Sequence, residues 1–154
     1  MTETGQDRID RTIDVNAPPE KVWRILTTAK DLATWFEMKV EGEITQGAEV
    51  WMTTTNPGYA GMRFVMRITE LTPPRRFVWQ WHPGAVDPAV DYSTEPWTTV
   101  TFTLEPNGTG TRLSMSETGF NELSLARRAQ AYADNTQGWD KVMIWIQNYA
   151  EAAH

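Results

Sequence analysis

The chain has no cysteine, only two histidines and no long apolar run. Without cysteine there is no disulfide framework, no thiolate nucleophile and no zinc site of the cysteine kind, so redox chemistry by the chain itself is excluded. The longest wholly apolar run covers residues 142–146, whereas a membrane-spanning helix needs roughly 20 such residues. We therefore expect no membrane insertion.

The sequence also lacks the residues that a metal site or a nucleophilic catalytic triad needs. His154 is terminal, His82 precedes a proline at the end of an apolar stretch, and no pair of carboxylates has the spacing of metal ligands. No serine lies on a recognisable nucleophile turn, so a Ser-His-Asp triad is unsupported. We expect no metal and no cofactor, and we expect His82 to face solvent at the entry to a loop.

The charge balance argues against anionic partners. Twenty acidic residues against fourteen basic ones give a formal net charge of −6, which repels phosphate backbones and disfavours nucleic acid as a partner. The first ten residues contain no apolar stretch typical of a signal peptide, so we expect a cytoplasmic protein. A length of 154 residues suits a single domain over residues 1–154.

Eight tryptophans and seven methionines fall largely within segments patterned as strands or helices. The stretch RRFVWQWHP, residues 75–83, places Phe77, Trp79 and Trp81 on one face of a strand. The order of elements begins with a strand, two short helices from the Pro18–Pro19 pair onward, and further strands. The predicted strands cover residues 9–17, 37–45, 49–54, 62–71, 97–105 and 111–117, besides the stretch just quoted.

A long amphipathic helix is predicted from about Asn135 onward, because apolar residues recur there at intervals of three and four. Residues 121–133 are helix-prone, and they fit either a lead-in to this helix or a lid over an entrance. The chain is thus predicted to be α+β, with the final helix covering one face of a curved antiparallel sheet. A gap between helix and sheet would form a pocket lined by inward-facing residues.

Four segments in this order resemble a known family: VNAPPEKVWRILTTAKDLATWF, ITELTPPRRFVWQW, VTFTLEPNGTGTRLSMSETGF and GWDKVMIWIQNYA. Over residues 9–152 the chain is similar to the bacterial single-domain members of the family named after the activator of heat-shock protein 90 ATPase, in the START-like (SRPBCC) superfamily. The resemblance implies a helix-grip (START-like, Bet v-like) fold: a curved sheet wraps a C-terminal helix around a cavity accessible to ligands.

No single chemistry follows from this resemblance, since the superfamily includes lipid and hormone carriers, polyketide cyclases and proteins that sequester toxic small molecules. The co-chaperone activity belongs to eukaryotic relatives with an additional N-terminal domain. We do not expect that domain here, so a co-chaperone role is poorly supported.

The alternation of the strands places their large apolar side chains on the inward face of the sheet, and together with the resemblance this predicts a cavity wall. Ordinary core packing is the alternative for any aromatic residue with strand periodicity. We predict that Phe77 lies nearer the closed, packed end, and that Trp79 and Trp81 face the helix across the gap. The predicted cavity residues are Trp35, Met52, Phe64, Met66, Trp79, Trp81, Phe102, Met115, Glu117, Trp139 and Met143.

Glu117 is the most informative polar residue, because strand alternation places it on the same inward face as Leu113 and Met115. A buried carboxylate needs partners, and Arg63 is one candidate. In that case Glu117 is a polar anchor at the pocket mouth. The alternative is that the strand ends here and Glu117 faces solvent.

Gly138 is unusual because glycine costs up to about 1 kcal/mol in a helix relative to alanine. Close packing against a neighbour is one explanation, and space for a ligand at the cavity entrance is the other. Ile144 falls on the polar face of the same helix and gives a faint hint of self-association, so both monomer and homodimer stay open.

The leading hypothesis is a carrier, sensor or sequestration protein for a small hydrophobic molecule that is aromatic or lipid-like. The alternative is an enzyme of the polyketide cyclase or aromatase type in which a carboxylate acts as general acid or base. A partner-binding co-chaperone is the third possibility, and the sequence shows no conspicuous surface patch for it.

Overall fold

A computed structural model describes residues 7–55, 62–83 and 91–152. Seven strands and three α-helices occur in this part of the chain. They are β1 (Arg8–Val15), α1 (Pro19–Thr27), α2 (Ala29–Trp35), β2 (Met38–Glu41), β3 (Glu49–Thr54), β4 (Arg63–Thr72), β5 (Arg76–Trp81), β6 (Thr98–Asn107), β7 (Gly110–Thr118) and α3 (Leu125–Glu151).

The strands form one antiparallel sheet in the order β1-β7-β6-β5-β4-β3-β2. From β2 to β7, strands that are consecutive in the chain are neighbours in the sheet. β1 lies at the opposite edge from β2 and pairs with β7. The connection through α1 and α2 therefore runs from one edge of the sheet to the other. A register shift between Ile68 and Glu70 interrupts the β4–β5 ladder, and such bulges bend and twist a sheet. This curved sheet and its long final helix confirm the predicted helix-grip architecture.

The β6–β7 hairpin shows how the sequence sets the register. Gly108 adopts a positive φ of 62°, which glycine tolerates in a tight turn. The alternation that follows pairs Phe102 with Met115 and Val100 with Glu117. All four of these side chains are buried, so the strand carries Glu117 into the same layer as the apolar core, as its parity predicted.

The predicted strand over residues 37–45 is shorter in the structure. It covers only Met38–Glu41, because Glu37 adopts a positive φ of 57° and Gly42 one of 117°. These left-handed conformations break the extended backbone on both sides.

Helix α3 begins ten residues before the predicted start near Asn135. The Ser124 side chain accepts a hydrogen bond from the backbone N–H of Arg127 and caps the helix. Most of residues 121–133 thus belong to the first turns of α3, which agrees with the lead-in interpretation. The periodic residues Trp139, Val142, Met143 and Ile146 are buried. Among the helices of the described segments, none is both long and apolar enough to cross a membrane.

Polar contacts tie α3 to β1 and the residue that follows it. They are spread along the helix from its second turn to its last residue. They join Tyr132 to Arg8, Asp140 to Arg11, Gln147 to Asp14 and Glu151 to Asn16, at 3.2, 2.7, 2.9 and 2.8 Å. The helix is thereby anchored along one edge of the sheet.

Candidate functional site

A cavity of about 420 Å³ lies between the middle of α3 and the opposite half of the sheet. Its size is within the range of about 300–1,000 Å³ that is usual for small-molecule sites. On the sheet side, the wall comes from the end of α2, the start of β2, the end of β3, the start of β4 and the end of β5. On the helix side it comes from residues between Asp134 and Trp145.

The cavity wall is largely aromatic. Five rings contribute to it, and we call them the aromatic wall: Phe36, Phe64, Trp81, Trp139 and Trp145. The ring of Trp81 lies edge-on to Phe64, with centroids 5.6 Å apart. The rings of Trp81 and Trp139 are 5.9 Å apart and inclined by 37°. Met38 and Met62 add flexible apolar surface.

Of the eleven residues predicted to line a cavity, the structure places Phe64, Trp81 and Trp139 on the wall. The other eight lie behind it, with at most 5% of each side chain exposed. They are Trp35, Met52, Met66, Trp79, Phe102, Met115, Glu117 and Met143. These bulky side chains belong to the buried layer between sheet and helix, and the cavity lies beside them, next to the ends of β3 and β5 and the start of β4. Contact between any of the eleven and a ligand stays a prediction.

Trp79 and Trp81 differ although they share a face of β5. Trp79 is 1% exposed and packs against Phe77 and Phe102, with ring centroids 5.0 and 5.4 Å away. Its Nε1 has no hydrogen-bond partner among the described residues. Phe77 is fully buried, and its ring lies edge-on to that of Trp23. Trp79 therefore belongs to the packed core, and Trp81, two residues later, forms the boundary of the cavity.

Glu117 is fully buried and receives hydrogen bonds at both carboxylate oxygens. Oε2 accepts from Trp81 Nε1 at 2.8 Å and from Thr98 Oγ1 at 2.6 Å. Oε1 accepts from Trp139 Nε1 at 2.8 Å. Asn135 Nδ2 donates to both oxygens, at 2.9 and 3.1 Å. Because an indole N–H can only donate, these partners fit an ionised, acceptor-only carboxylate.

The structure decides between the two sequence-based interpretations of Glu117 and corrects the partner suggested for it. The strand does not end at a solvent-facing Glu117, since this side chain has no exposure. Arg63 is also not its partner. It lies on the outer face of β4, with its guanidinium 4.1 Å from the Trp51 ring centroid and 3.7 Å from Glu41. Odd-numbered residues at this end of β4 point away from the core, and that places Arg63 on the wrong side of the sheet.

Glu117 acts through the residues that it holds. Trp81, Asn135 and Trp139 all line the cavity and all donate to this one carboxylate. Sequence reasoning missed Asn135 and Thr98. Asn135 lies four residues before Trp139, so both point to the same side of α3, and that spacing is the signal that could have identified it.

His82 was predicted to face solvent, and this is wrong. It is half-buried, lines the cavity, and its ring centroid is 4.1 Å from that of Trp97. Strand alternation does not extend past Trp81, where β5 ends, and the returning chain brings Trp97 over the imidazole. Burial lowers the pKa of His82 from its usual 6.5, although the nearby Glu95 carboxylate and the Pro96 backbone oppose the shift.

Gly138 opens onto the cavity. A Cβ atom built at this position would meet no heavy atom within 4 Å, so close packing does not explain the glycine. The absence of a side chain instead leaves room in the cavity between α3 and the sheet. This outcome agrees with the alternative explanation based on ligand space.

Charged residues occur at the margin of the cavity. Glu37, Asp134 and Lys141 contribute to its lining and are exposed. Within the described segments, no cluster of three or more histidine, cysteine or acidic residues could hold a metal ion. The arrangement suits the binding of an apolar molecule with a few polar contacts at one side.

Comparison with protein families gives a match to the model described as Activator of Hsp90 ATPase homolog 1-like protein, over residues 16–151. No curated protein matches the chain.

Solved structures share the fold. Protein MLL2253 from Mesorhizobium loti is 25% identical, with a TM-score of 0.73 over 92% of this chain and 95% of that one. The Aha1 dimer from Colwellia psychrerythraea is 20% identical, with a TM-score of 0.70 over 94% and 96%. DynU16, from the dynemicin biosynthetic locus, is 22% identical, with a TM-score of 0.72 over 95% of this chain but 48% of its own length.

Proposed function

This chain belongs to the family of Activator of Hsp90 ATPase homolog 1-like proteins, and on that premise we propose that it binds a small hydrophobic molecule, aromatic or lipid-like, in the cavity beside α3. The observation that carries the proposal is the cavity of about 420 Å³ with its aromatic wall. A role as carrier, sensor or sequestration protein fits such a site.

Apolar burial would supply most of the affinity. Each 100 Å² of apolar ligand surface removed from water contributes about 2.5 kcal/mol before the costs of association. Those costs are reduced because the wall is already ordered: hydrogen bonds to Glu117 fix Trp81 and Trp139 before a ligand arrives. Preorganised aromatic side chains lose little conformational freedom on binding.

An enzyme of the cyclase or aromatase type has less support. Such a mechanism needs a carboxylate as general acid or base, and the inward-facing Glu117 carboxylate lies behind Trp81 and Trp139 and is fully buried. To take a proton from a substrate it would have to release hydrogen bonds that now occupy both oxygens. Its position supports a role in holding the wall. A partner-binding co-chaperone role gains no specific support from the site.

The test follows intrinsic tryptophan fluorescence during titration with fatty acids, flavonoids, polyketide-like aromatics and hydrophobic antibiotics. We expect saturable quenching by one class, because the aromatic wall contains three tryptophans, Trp81, Trp139 and Trp145. Trp51→Phe is the matched control, since Trp51 is exposed on the outer face of β3. It should leave the dissociation constant unchanged, while Trp81→Ala should weaken binding.

A second test fills the cavity with a larger side chain at Gly138. Gly138→Leu should abolish binding of the class that quenches, and Gly138→Ala should retain it. If no class gives a saturable response, or if Gly138→Leu binds as tightly as the wild type, the proposal is wrong.

A further inference from the structure

We propose that the cavity selects ligands that carry a positive charge, such as an aryl-alkyl ammonium, over neutral molecules of the same shape. The inference rests on the proposed function, because it names the chemical class that the same cavity would take. It is carried by the buried Glu117 carboxylate and the two cavity-lining indoles that donate to it.

The first step concerns the charge of Glu117. Its hydrogen-bond donors, Trp81, Thr98, Asn135 and Trp139, are all neutral side chains. Within the described part of the chain, no lysine, arginine or histidine lies within 4 Å of this carboxylate. Hydrogen bonds spread the negative charge without cancelling it, and the field of a buried charge is weakly screened.

The second step concerns the rings between that charge and the cavity. The faces of an indole carry negative electrostatic potential, which attracts cations. Donation of the indole N–H to a carboxylate raises the electron density of the ring and strengthens this attraction. Trp81 and Trp139 both line the cavity, with centroids 5.9 Å apart. A cation in the cavity would therefore be attracted by both polarised rings, with Phe36, Phe64 and Trp145 completing the aromatic wall.

The third step concerns the remaining charges of the lining. Glu37 and Asp134 are acidic, and Lys141 is the basic residue among the described lining positions. His82 also lines the cavity, but burial lowers its pKa and so favours the neutral imidazole. The lining with the carboxylate behind it thus carries more negative than positive charge.

Two arginines near His82 do not reverse this balance, because each has an acidic partner. Arg127 lies 2.7 Å from Glu95, and Arg67 lies 3.5 Å from Glu49. At longer range, the formal net charge of −6 attracts cations and repels anions.

The experiment compares three probes with a benzyl or phenethyl core. Benzyltrimethylammonium and neopentylbenzene have nearly the same shape and differ by one positive charge, and 3-phenylpropanoate supplies an anion. Binding to the wild-type protein is measured at low ionic strength by NMR, from the shifts of the indole N–H signals of Trp81 and Trp139. These signals are assigned with the Trp81→Phe and Trp139→Phe variants. We expect the cation to bind about tenfold more tightly than the neutral probe, and the anion to bind most weakly.

Glu117→Gln separates an electrostatic role from a structural one. Loss of the charge should lower the ratio of cation to neutral affinity, whereas a purely structural role would weaken both probes equally and leave the ratio unchanged. Glu105→Gln on the exposed end of β6 is the matched control and should keep the wild-type ratio. If Glu117→Gln does not fold, the comparison of the three probes on the wild type decides the matter by itself.

The outcomes distinguish the two proposals. Equal or tighter binding of neopentylbenzene or 3-phenylpropanoate overturns the cation preference and leaves a hydrophobic binding site. The same holds if none of the three probes binds while a neutral member of the larger panel does. An unchanged ratio in a folded Glu117→Gln variant also overturns the inference. Failure of every probe and every panel class overturns the proposed function itself.

Discussion

The indole N–H groups of Trp81 and Trp139 converge on a single carboxylate, with Trp81 donating to Oε2 and Trp139 to Oε1 of Glu117, each at 2.8 Å. One tryptophan lies at the end of β5 and the other in the middle of α3, so the carboxylate joins sheet and helix at the edge of the cavity. This geometry makes the wall dependent on a residue that does not itself line the cavity.

Glu117→Gln is expected to reduce the free energy of unfolding by about 2 kcal/mol or more. The new amide keeps one acceptor oxygen but turns an NH₂ group toward donors, which leaves buried N–H groups unpaired. Urea denaturation followed by far-UV circular dichroism measures the change. Glu105→Gln, on the exposed end of β6, should stay within about 0.5 kcal/mol of the wild type. Equal stability of the two variants would show that the buried hydrogen bonds contribute little.

Trp139→Phe should destabilise the protein more than Trp79→Phe, by about 1 kcal/mol or more. Both tryptophans are almost fully buried, at 3% and 1% exposure, and both substitutions remove the same atoms. Trp139 donates to a carboxylate, whereas Trp79 Nε1 has no partner among the described residues. Hydrogen bonds to charged groups are worth about 1.5–3 kcal/mol. Trp139 borders the cavity, so its substitution loses less packing than that of Trp79, and the lost hydrogen bond decides the order of the two variants. Unfolding free energies that rank the two variants in the opposite order would refute the role of this bond.

Substitutions at Gly138 should separate stability from ligand binding. Gly138→Ala is expected to raise the free energy of unfolding by up to about 1 kcal/mol, because alanine favours a helix and its Cβ meets no atom within 4 Å. Gly138→Leu should also fold, but its side chain would occupy the cavity. Thermal unfolding and the fluorescence titration are measured on both variants. A loss of stability in Gly138→Ala would mean that the backbone at this position is not free to accept a side chain.

His82 should make the protein less stable as the pH falls. Burial, followed by smaller effects of the Arg67 and Arg127 charges, lowers the pKa of His82 below 6.5 in the folded protein. The unfolded chain therefore binds the proton first, and the stability falls as the pH drops through about 6.5 toward the folded pKa. Above that window the imidazole is neutral in both states and contributes no pH dependence.

His82→Phe checks this expectation, because phenylalanine can keep the ring contact with Trp97 without titrating. Urea denaturation of both proteins between pH 8 and pH 5 gives a difference curve in which the carboxylates common to both cancel. The stability of the wild type relative to His82→Phe should decline as the pH falls. Parallel curves would mean that the imidazole is as easily protonated in the folded protein as in the unfolded chain.

The α+β arrangement could be predicted because alternation and chain order are local properties, and the helix-grip fold was implied by the resemblance to a known family. The inward parity of Leu113, Met115 and Glu117 follows from the pleat of one strand, and the structure preserves it. The position of the cavity could not be predicted in the same way. Trp79 and Trp81 have equal parity, and only the path of α3 over the sheet decides that one is packed and the other lines a cavity.

Sequence reasoning did not find the partners of Glu117, for a related reason. A search for a charged partner is natural for a buried carboxylate, and it led to Arg63. The structure instead satisfies the carboxylate with neutral donors from β5, β6 and α3, which become neighbours only when the sheet and helix are assembled. His82 shows the same limit, since its environment depends on the position of Trp97 after the chain has turned.

The polar contacts between α3 and the β1 edge also have a mechanical meaning. If α3 moves, it can keep these four hydrogen bonds only by rotating about an axis along the β1 edge. The bonds are those at Tyr132, Asp140, Gln147 and Glu151. On the cavity side, such a rotation has to break the hydrogen bonds from Asn135 and Trp139 to Glu117, although it leaves every strand pairing of the sheet in place. The same carboxylate that orders the aromatic wall therefore also holds α3 at its present distance from the sheet.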